Sequence, residues 1–161
     1  MNKKLNNLTN CLYIFKKGFN FSQDGPGNRL VYHLQGCNFK CKWCTNPESM
    51  AFPGENSIKY QVGELVDEAV KCRPMFFEGG GVTLSGGEPT YQFENVLCLL
   101  KALKKEKINT AMETNGSHKH LFKLIPYISY IYCITAQHCL PIFIQVYHSS
   151  SPIIEFEARN P

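Results

Sequence analysis

Three cysteines, Cys37, Cys41 and Cys44, stand in the spacing Cys-x3-Cys-x2-Cys. Thiolates that close in sequence can occupy three corners of one inorganic cluster. A four-iron cluster takes four ligands, so three cysteines leave one iron open to a small molecule, much as a catalytic zinc keeps an exchangeable position. The same spacing also suits a structural zinc whose fourth ligand is His33 or Cys72, or three unrelated buried thiols. A second feature is Thr83-Leu84-Ser85-Gly86-Gly87-Glu88-Pro89, a strand ending in two glycines and an acid ahead of a helix. Glycines let a ligand approach the backbone, and a carboxylate or bare carbonyls there accept hydrogen bonds from an ammonium group. Taken alone, Gly-Gly-Glu also describes an ordinary tight turn.

The elements that must position these residues follow from periodicity. Leu30 to Gln35 reads as a first strand, preceded by the turn-forming Gly25-Pro26-Gly27-Asn28. Val62, Leu65, Val66, Ala69 and Val70 recur at helical spacing, and Gly79-Gly80-Gly81 then separates that helix from a strand at Val82 to Ser85. A second apolar stripe, Phe93, Val96, Leu97, Leu100 and Leu103, leads through a Lys-rich end to a strand at Ile108 to Glu113. Ser117 is positioned to cap a third helix closed by Pro126, ahead of a fourth strand at Ile128 to Cys133. The order β-α-β-α-β-α-β calls for an α/β fold with a parallel sheet, either open or as a partial (β/α) barrel. Ligands of such sheets bind at the C-terminal ends of the strands, where the cysteine loop and the Gly-Gly-Glu turn both fall.

At 161 residues, 43% hydrophobic and 19% charged, the chain suits one soluble domain and is neither fibrous nor disordered. Its formal charge of +4 comes from scattered basic residues with no run interleaved by aromatics, so nucleic acid is not implied. Eight cysteines in a chain of this length point to ligation in a reducing compartment, not to a disulfide scaffold. No secretory apolar region can be drawn at the N-terminus, and a cytoplasmic address is expected. Cys11, Cys72, Cys98, Cys133 and Cys139 show no ligand spacing among themselves. His118 and His120 beside Lys119 read as a solvated helix start. Residues 124–154 contain no Asp, Glu, Lys or Arg, but Pro126, Gln137, His138, Pro141 and Gln145 break the stretch, so no membrane span is expected.

Cys37-x3-Cys41-x2-Cys44 with Trp43 before the last cysteine, combined with Gly86-Gly87-Glu88-Pro89, resembles the radical S-adenosylmethionine superfamily. More closely, several motifs in order resemble the glycyl-radical-enzyme activating enzymes of the pyruvate formate-lyase activating type. They are Asp24-Gly25-Pro26-Gly27-x-Arg29, Gln35-Gly36-Cys37, Asn46-Pro47-Glu48, Gly79-Gly80-Gly81-Val82-Thr83 and Glu113-Thr114-Asn115-Gly116. The resemblance spans roughly residues 11 to 133.

That resemblance implies a radical S-adenosylmethionine core with a [4Fe-4S] cluster on Cys37, Cys41 and Cys44, its free iron chelated by the amino and carboxylate groups of S-adenosylmethionine. Trp43 and Thr45 would lie against the cofactor, Gly86, Gly87 and Glu88 would receive its amino group, and Glu113 falls where relatives place an acid near it. The implied reaction is reductive cleavage of S-adenosylmethionine to a 5′-deoxyadenosyl radical that takes a hydrogen atom from a glycine of a partner, a glycyl radical enzyme. A flavodoxin or ferredoxin type protein is the implied reductant. Thr45 stands where pyruvate formate-lyase activators commonly carry His, and Asn28 where they carry an aliphatic residue.

After Cys133 the resemblance stops: Ile134-Thr135-Ala136 replaces an Asp-x-Lys motif of the relatives. Residues 1–133 are therefore expected to be the N-terminal part of a radical S-adenosylmethionine domain, and 134–161 a divergent tail, as in a truncated or frame-altered product. Within the tail, Ile142 to Tyr147 has strand-like composition that suits patching the sheet edge and suits disorder or aggregation equally. Two further readings stand beside the activating enzyme. One is an activator of anaerobic ribonucleotide reductase, which shares the cysteine spacing; the other is a non-catalytic metal or iron-sulfur binding remnant.

Overall fold

In the computed structural model, residues 10–134, 141–146 and 154–158 are described. The strands are β1 (Cys11–Phe21), β2 (Asn28–Leu34), β3 (Ile58–Gln61), β4 (Gly81–Gly86), β5 (Thr110–Thr114), β6 (Tyr130–Ile134), β7 (Pro141–Val146) and β8 (Ile154–Ala158). They form one sheet in the order β3-β1-β2-β4-β5-β6-β7-β8. The centre, β2-β4-β5-β6, is parallel, and the flanking strands are antiparallel. The α/β reading holds, with a mixed sheet around its parallel core.

Alternation along the parallel strands divides the sheet into two unlike faces. Leu30, Tyr32 and Leu34 of β2, Val82 and Leu84 of β4, Met112 of β5 and Ile131 of β6 join one core. Against them pack α1 (Val62–Lys71) through Val62, Leu65 and Ala69, and α2 (Phe93–Lys105) through Phe93, Val96, Leu99, Leu100 and Leu103. The Glu64 carboxylate accepts the Gln61 N–H at 2.8 Å where α1 starts, and Lys104 and Lys105 sit in the last turn of α2, each favourable to its helix end. The opposite face carries Arg29 and His33, paired in register with Gly81 and Ser85, and then Ala111 and Glu113 beside Tyr130 and Tyr132. The Asp24 to Gly27 turn lies over this polar face, with Gly25 against Arg29, Ala111 and Tyr132.

Two expectations need correcting. The strand expected first is second, because β1 precedes it. Lys16-Lys17-Gly18 interrupts the alternation of β1, and its register against β2 shifts between Ile14 and Lys16, so its sequence lacks a clean period of two. The third helix is absent. Between Gly116, with φ of +73°, and β6 the chain makes two short 3-10 turns, Leu121–Lys123 and Ile125–Tyr127. Pro126 lies inside the second turn, and the Ser117 hydroxyl accepts a hydrogen bond from Asn38 at 2.8 Å and caps no helix. The strand-like stretch of the tail becomes β7, antiparallel to β6, with Tyr147 outside the described residues. Gln137, His138 and Cys139 also lie outside them.

Candidate metal centre and its cavity

The cysteine loop leaves the C-terminal end of β2 and is closed at its base by backbone hydrogen bonds. Gly36 N–H donates to the Ser49 carbonyl at 2.7 Å and Cys37 N–H to that of Met50 at 3.2 Å. Gln35, buried below the loop, donates through Nε2 to the carbonyls of Glu48 (3.0 Å) and Ala51 (2.6 Å). Gln92 Nε2 in turn donates to the carbonyls of Gln35 and Tyr13. This stem fixes where residues 37–48 leave and rejoin the sheet. Within the loop a turn bonds Cys44 N–H to the Cys41 carbonyl at 3.2 Å, and Phe39 N–H points at the Cys37 sulfur at 3.4 Å.

Cys37, Cys41 and Cys44 are free, partly buried thiols that line one cavity of about 250 Å³. Trp43, Thr45, Gly86, Gly87, Glu88 and Glu113 line it too, so all nine residues singled out in the sequence meet there. Burial pushes the Cys37 thiol up, with the Phe39 amide working against it. Among the described residues, no three His, Cys, Asp or Glu side chains converge on a single-ion position. A zinc would need its sulfurs each about 2.3 Å from one ion, whereas a cubane presents a separate iron to each thiolate and spreads them. The donor set is thus three sulfurs on one loop around an open volume, and it fits a cluster. Of the alternative zinc ligands, Cys72 caps α1 ahead of β4, at the far end of the parallel strands. His33 points along the polar face, its Nδ1 buried without a partner among the described residues.

The opposite wall is the turn after β4. Gly86 has φ of +105°, and a Cβ on Gly87 would stand 2.3 Å from the Gly36 carbonyl oxygen. Gly87 N–H donates to the Leu34 carbonyl (2.9 Å) and Glu88 N–H to that of Gly36 (2.8 Å), which holds this turn against the root of the cysteine loop. Only glycine fits a turn this close to another backbone. The Glu88 carboxylate is almost fully buried and accepts from Thr90 N–H (3.0 Å), Thr90 Oγ1 (2.5 Å), Thr114 Oγ1 (2.8 Å) and Asn115 N–H (2.7 Å). It therefore ties β4 to β5. Its two oxygens are thereby engaged by donors of the protein itself.

Glu113 has a different setting. Ser85 Oγ donates to it, Asp24 faces it closely enough to share a hydrogen bond, and burial, the largest cause, raises its pKa to about 7. Asn20 Nδ2 donates to Asp24 at 2.5 Å. Ser85, Thr114, Asn115, Phe39 and Asn46 also line the cavity and were not singled out as site residues. Period-two alternation from Thr83 carries Ser85 to the same face, and Thr114 and Asn115 follow Glu113 directly in its motif. Asp24 opens the Asp24-Gly25-Pro26-Gly27 motif, but only the fold of its turn brings it to Glu113.

The chain matches the profile of a protein family described as "4Fe-4S single cluster domain" over residues 23–134. It belongs to that family. A single four-iron cluster is accordingly its cofactor. Curated relatives match a stretch of the 4Fe-4S chain. The pyruvate formate-lyase-activating enzyme of Streptococcus mutans is 34% identical over 93 residues, 58% of this chain and 35% of the relative. Those of Clostridium pasteurianum and Staphylococcus epidermidis are 39% and 40% identical over 94 residues, covering 39% and 37% of their lengths and 58% of this chain. The matched stretch spans well under half of these relatives. Among solved structures, QueE from Escherichia coli superposes with a TM-score of 0.54 at 21% identity, covering 67% of this chain and 54% of that one, which shows a shared fold.

Proposed function

We propose that this chain carries the cluster-binding part of a radical S-adenosylmethionine activating enzyme that installs a glycyl radical on a partner protein. The observation that carries the reading is the meeting of three free thiols, the Gly-Gly-Glu turn and Glu113 on one cavity at the C-terminal ends of parallel strands, in a chain 34–40% identical to pyruvate formate-lyase-activating enzymes over 93 or 94 residues. In this reading residues 1–133 are the N-terminal part of the domain and 134–161 a divergent tail.

When bound, the reduced cluster and S-adenosylmethionine supply a carbon radical that abstracts a hydrogen atom from glycine. Cys37, Cys41 and Cys44 would hold the cluster through three of its irons. Carbonyls of Gly86 and Gly87 accept from the ammonium of the amino acid moiety, while the Glu88 carboxylate keeps their turn in place. Trp43 and Thr45 flank the cofactor from the loop side and restrict water. Glu113 and Ser85 present polar groups at the floor. Among the described residues no helix is long and apolar enough to cross a membrane. Free thiols at a cluster loop suit a reducing cytoplasm, and a flavodoxin or ferredoxin type protein suits the need for low-potential electrons.

Anaerobic reconstitution with iron and sulfide, followed by electron paramagnetic resonance of the reduced protein, tests this. The expected result is a four-iron signal that changes when S-adenosylmethionine is added, lost in Cys41→Ala. A cluster whose spectrum ignores S-adenosylmethionine rejects the reading.

A further inference from the structure

The ligand loop carries charge beside the cavity as well as ligands in it. From Gly36 to Glu48 the sequence holds Lys40 and Lys42, one on each side of Cys41, against a single acid, Glu48, at the base of the loop. Both lysines are exposed, and the two ion pairs among the described residues, Lys17 with Glu68 and Arg73 with Glu106, lie elsewhere. Asn38 Nδ2 donates to Ser117 Oγ at 2.8 Å and Asn115 Nδ2 to Asn38 Oδ1 at 2.9 Å, pinning the segment after β5 beside the loop. Exposed Lys119 of that segment lines a shallow cleft with Asn38 and Tyr91. Tyr91 of the same cleft is 47% exposed, an aromatic side chain of the kind that protein contacts use.

We propose that the surface bearing Lys40, Lys42 and, beside Asn38 and Tyr91, Lys119 is the docking surface for an acidic one-electron carrier protein that reduces the cluster. The inference rests on the cluster-binding reading above and assigns that reading's electron entry. One electron leaves the carrier's reduced centre, which is oxidised, and takes the cluster from its 2+ to its 1+ state; no proton or group moves. Hydrogen abstraction needs the cavity, walled by Ser85, Gly87 and Glu113, so the protein substrate must reach that side. An electron needs only proximity to the thiolates, and Lys40 and Lys42 flank Cys41 in sequence without lining the cavity. Lysines suit a transient encounter, because hydrated ammonium groups steer a partner by long-range attraction without the bidentate hold of arginine.

The test uses the full chain loaded with its cluster and the double variant Lys40→Glu/Lys42→Glu. Anaerobic stopped-flow absorbance follows cluster reduction by two reductants, the acidic flavodoxin hydroquinone and a small photoreduced deazaflavin. For the parent, the flavodoxin rate should fall about tenfold as salt rises from about 0.02 to about 0.5 M. At low salt the charge reversal should slow flavodoxin reduction by about tenfold or more and leave the deazaflavin rate within about twofold. The proposal is overturned by a flavodoxin rate indifferent to salt and to charge reversal. Equal slowing with both reductants also overturns it, as does a variant that loses only affinity for the glycyl radical protein. A parent chain that loads no cluster overturns this inference and the cluster reading together, whereas a loaded parent with indifferent lysines overturns this one alone.

Discussion

Glu88 and Glu113 are both carboxyls at the cavity, and their neighbours differ in kind. Four donors surround Glu88. Burial raises the pKa of Glu113 from 4.5 to about 7; its one hydroxyl donor, Ser85, works against the rise and a second carboxyl, Asp24, adds to it. A carboxyl raised in the native state favours folding while both states hold the proton, and that contribution is lost as pH climbs through the native value. Between about pH 4.5 and 7 the unfolded chain releases a proton that the native chain retains, and stability falls by about 3 kcal/mol in all. Glu113→Gln should remove this slope. In urea unfolding of the metal-free chain, the variant should be more stable than the parent by roughly 2–3 kcal/mol at about pH 8, the gap closing near pH 5. Parallel stability profiles for the two proteins would show that Glu113 titrates normally. The sequence displayed the cysteine trio and the Gly-Gly-Glu turn because each is contiguous. It did not display the Asp24–Glu113 contact, which exists only once the Asp24 to Gly27 turn lies across the polar face.

At the level of elements, the site depends on how closely the turn after β4 approaches the root of the cysteine loop. Gly87 and Gly36 are the contact, and both neighbours are backbone, so a methyl group at residue 87 has nothing flexible to displace. Gly36 precedes Cys37, and any shift there moves the first thiolate relative to the other two. Gly87→Ala should therefore keep the far-ultraviolet circular dichroism of the parent, lower stability by about 2 kcal/mol, and reduce iron and acid-labile sulfide after reconstitution to less than about half. A variant that loads a full cluster would show that the turn and the loop are independent. Helices α1 and α2 and the four parallel strands were legible because apolar residues recur at 3.6 or sit in short β-favouring runs. Strand β1 was not, since two lysines, a glycine and a register shift interrupt its alternation. The segment from Ser117 to Pro126 looked helical by its ends alone, yet its interior, with Pro126 inside a 3-10 turn and His118 stacked on Phe93 at 4.4 Å, settles as turns.

For the whole molecule, the sheet must end somewhere on both sides, and an unpaired strand edge invites another chain. One end is β3, four residues long and carrying Lys59; the other is β8, whose sequence Ile-Glu-Phe-Glu-Ala holds Glu155 and Glu157. Short length and charge are the usual protections of an edge. Between β8 and the parallel core stand β7 and then β6, Tyr-Ile-Tyr-Cys-Ile, with no charge in its five residues. The chain beyond β6 supplies sheet pairing through β7 and β8. Removing residues 135–161 would turn β6 into the edge, neutral and β-favouring throughout, while leaving the cysteine loop, the turn after β4 and Glu113 in the chain. The shortened protein should elute as dimers and larger species, with thioflavin T binding rising on warming, where the parent does not. Introducing a charge at the new edge, Tyr132→Lys in the shortened chain, should restore most of the monomer. A shortened chain that stays monomeric without that charge would mean the β7–β8 hairpin does not guard β6, and that the sheet closes its edge by other means.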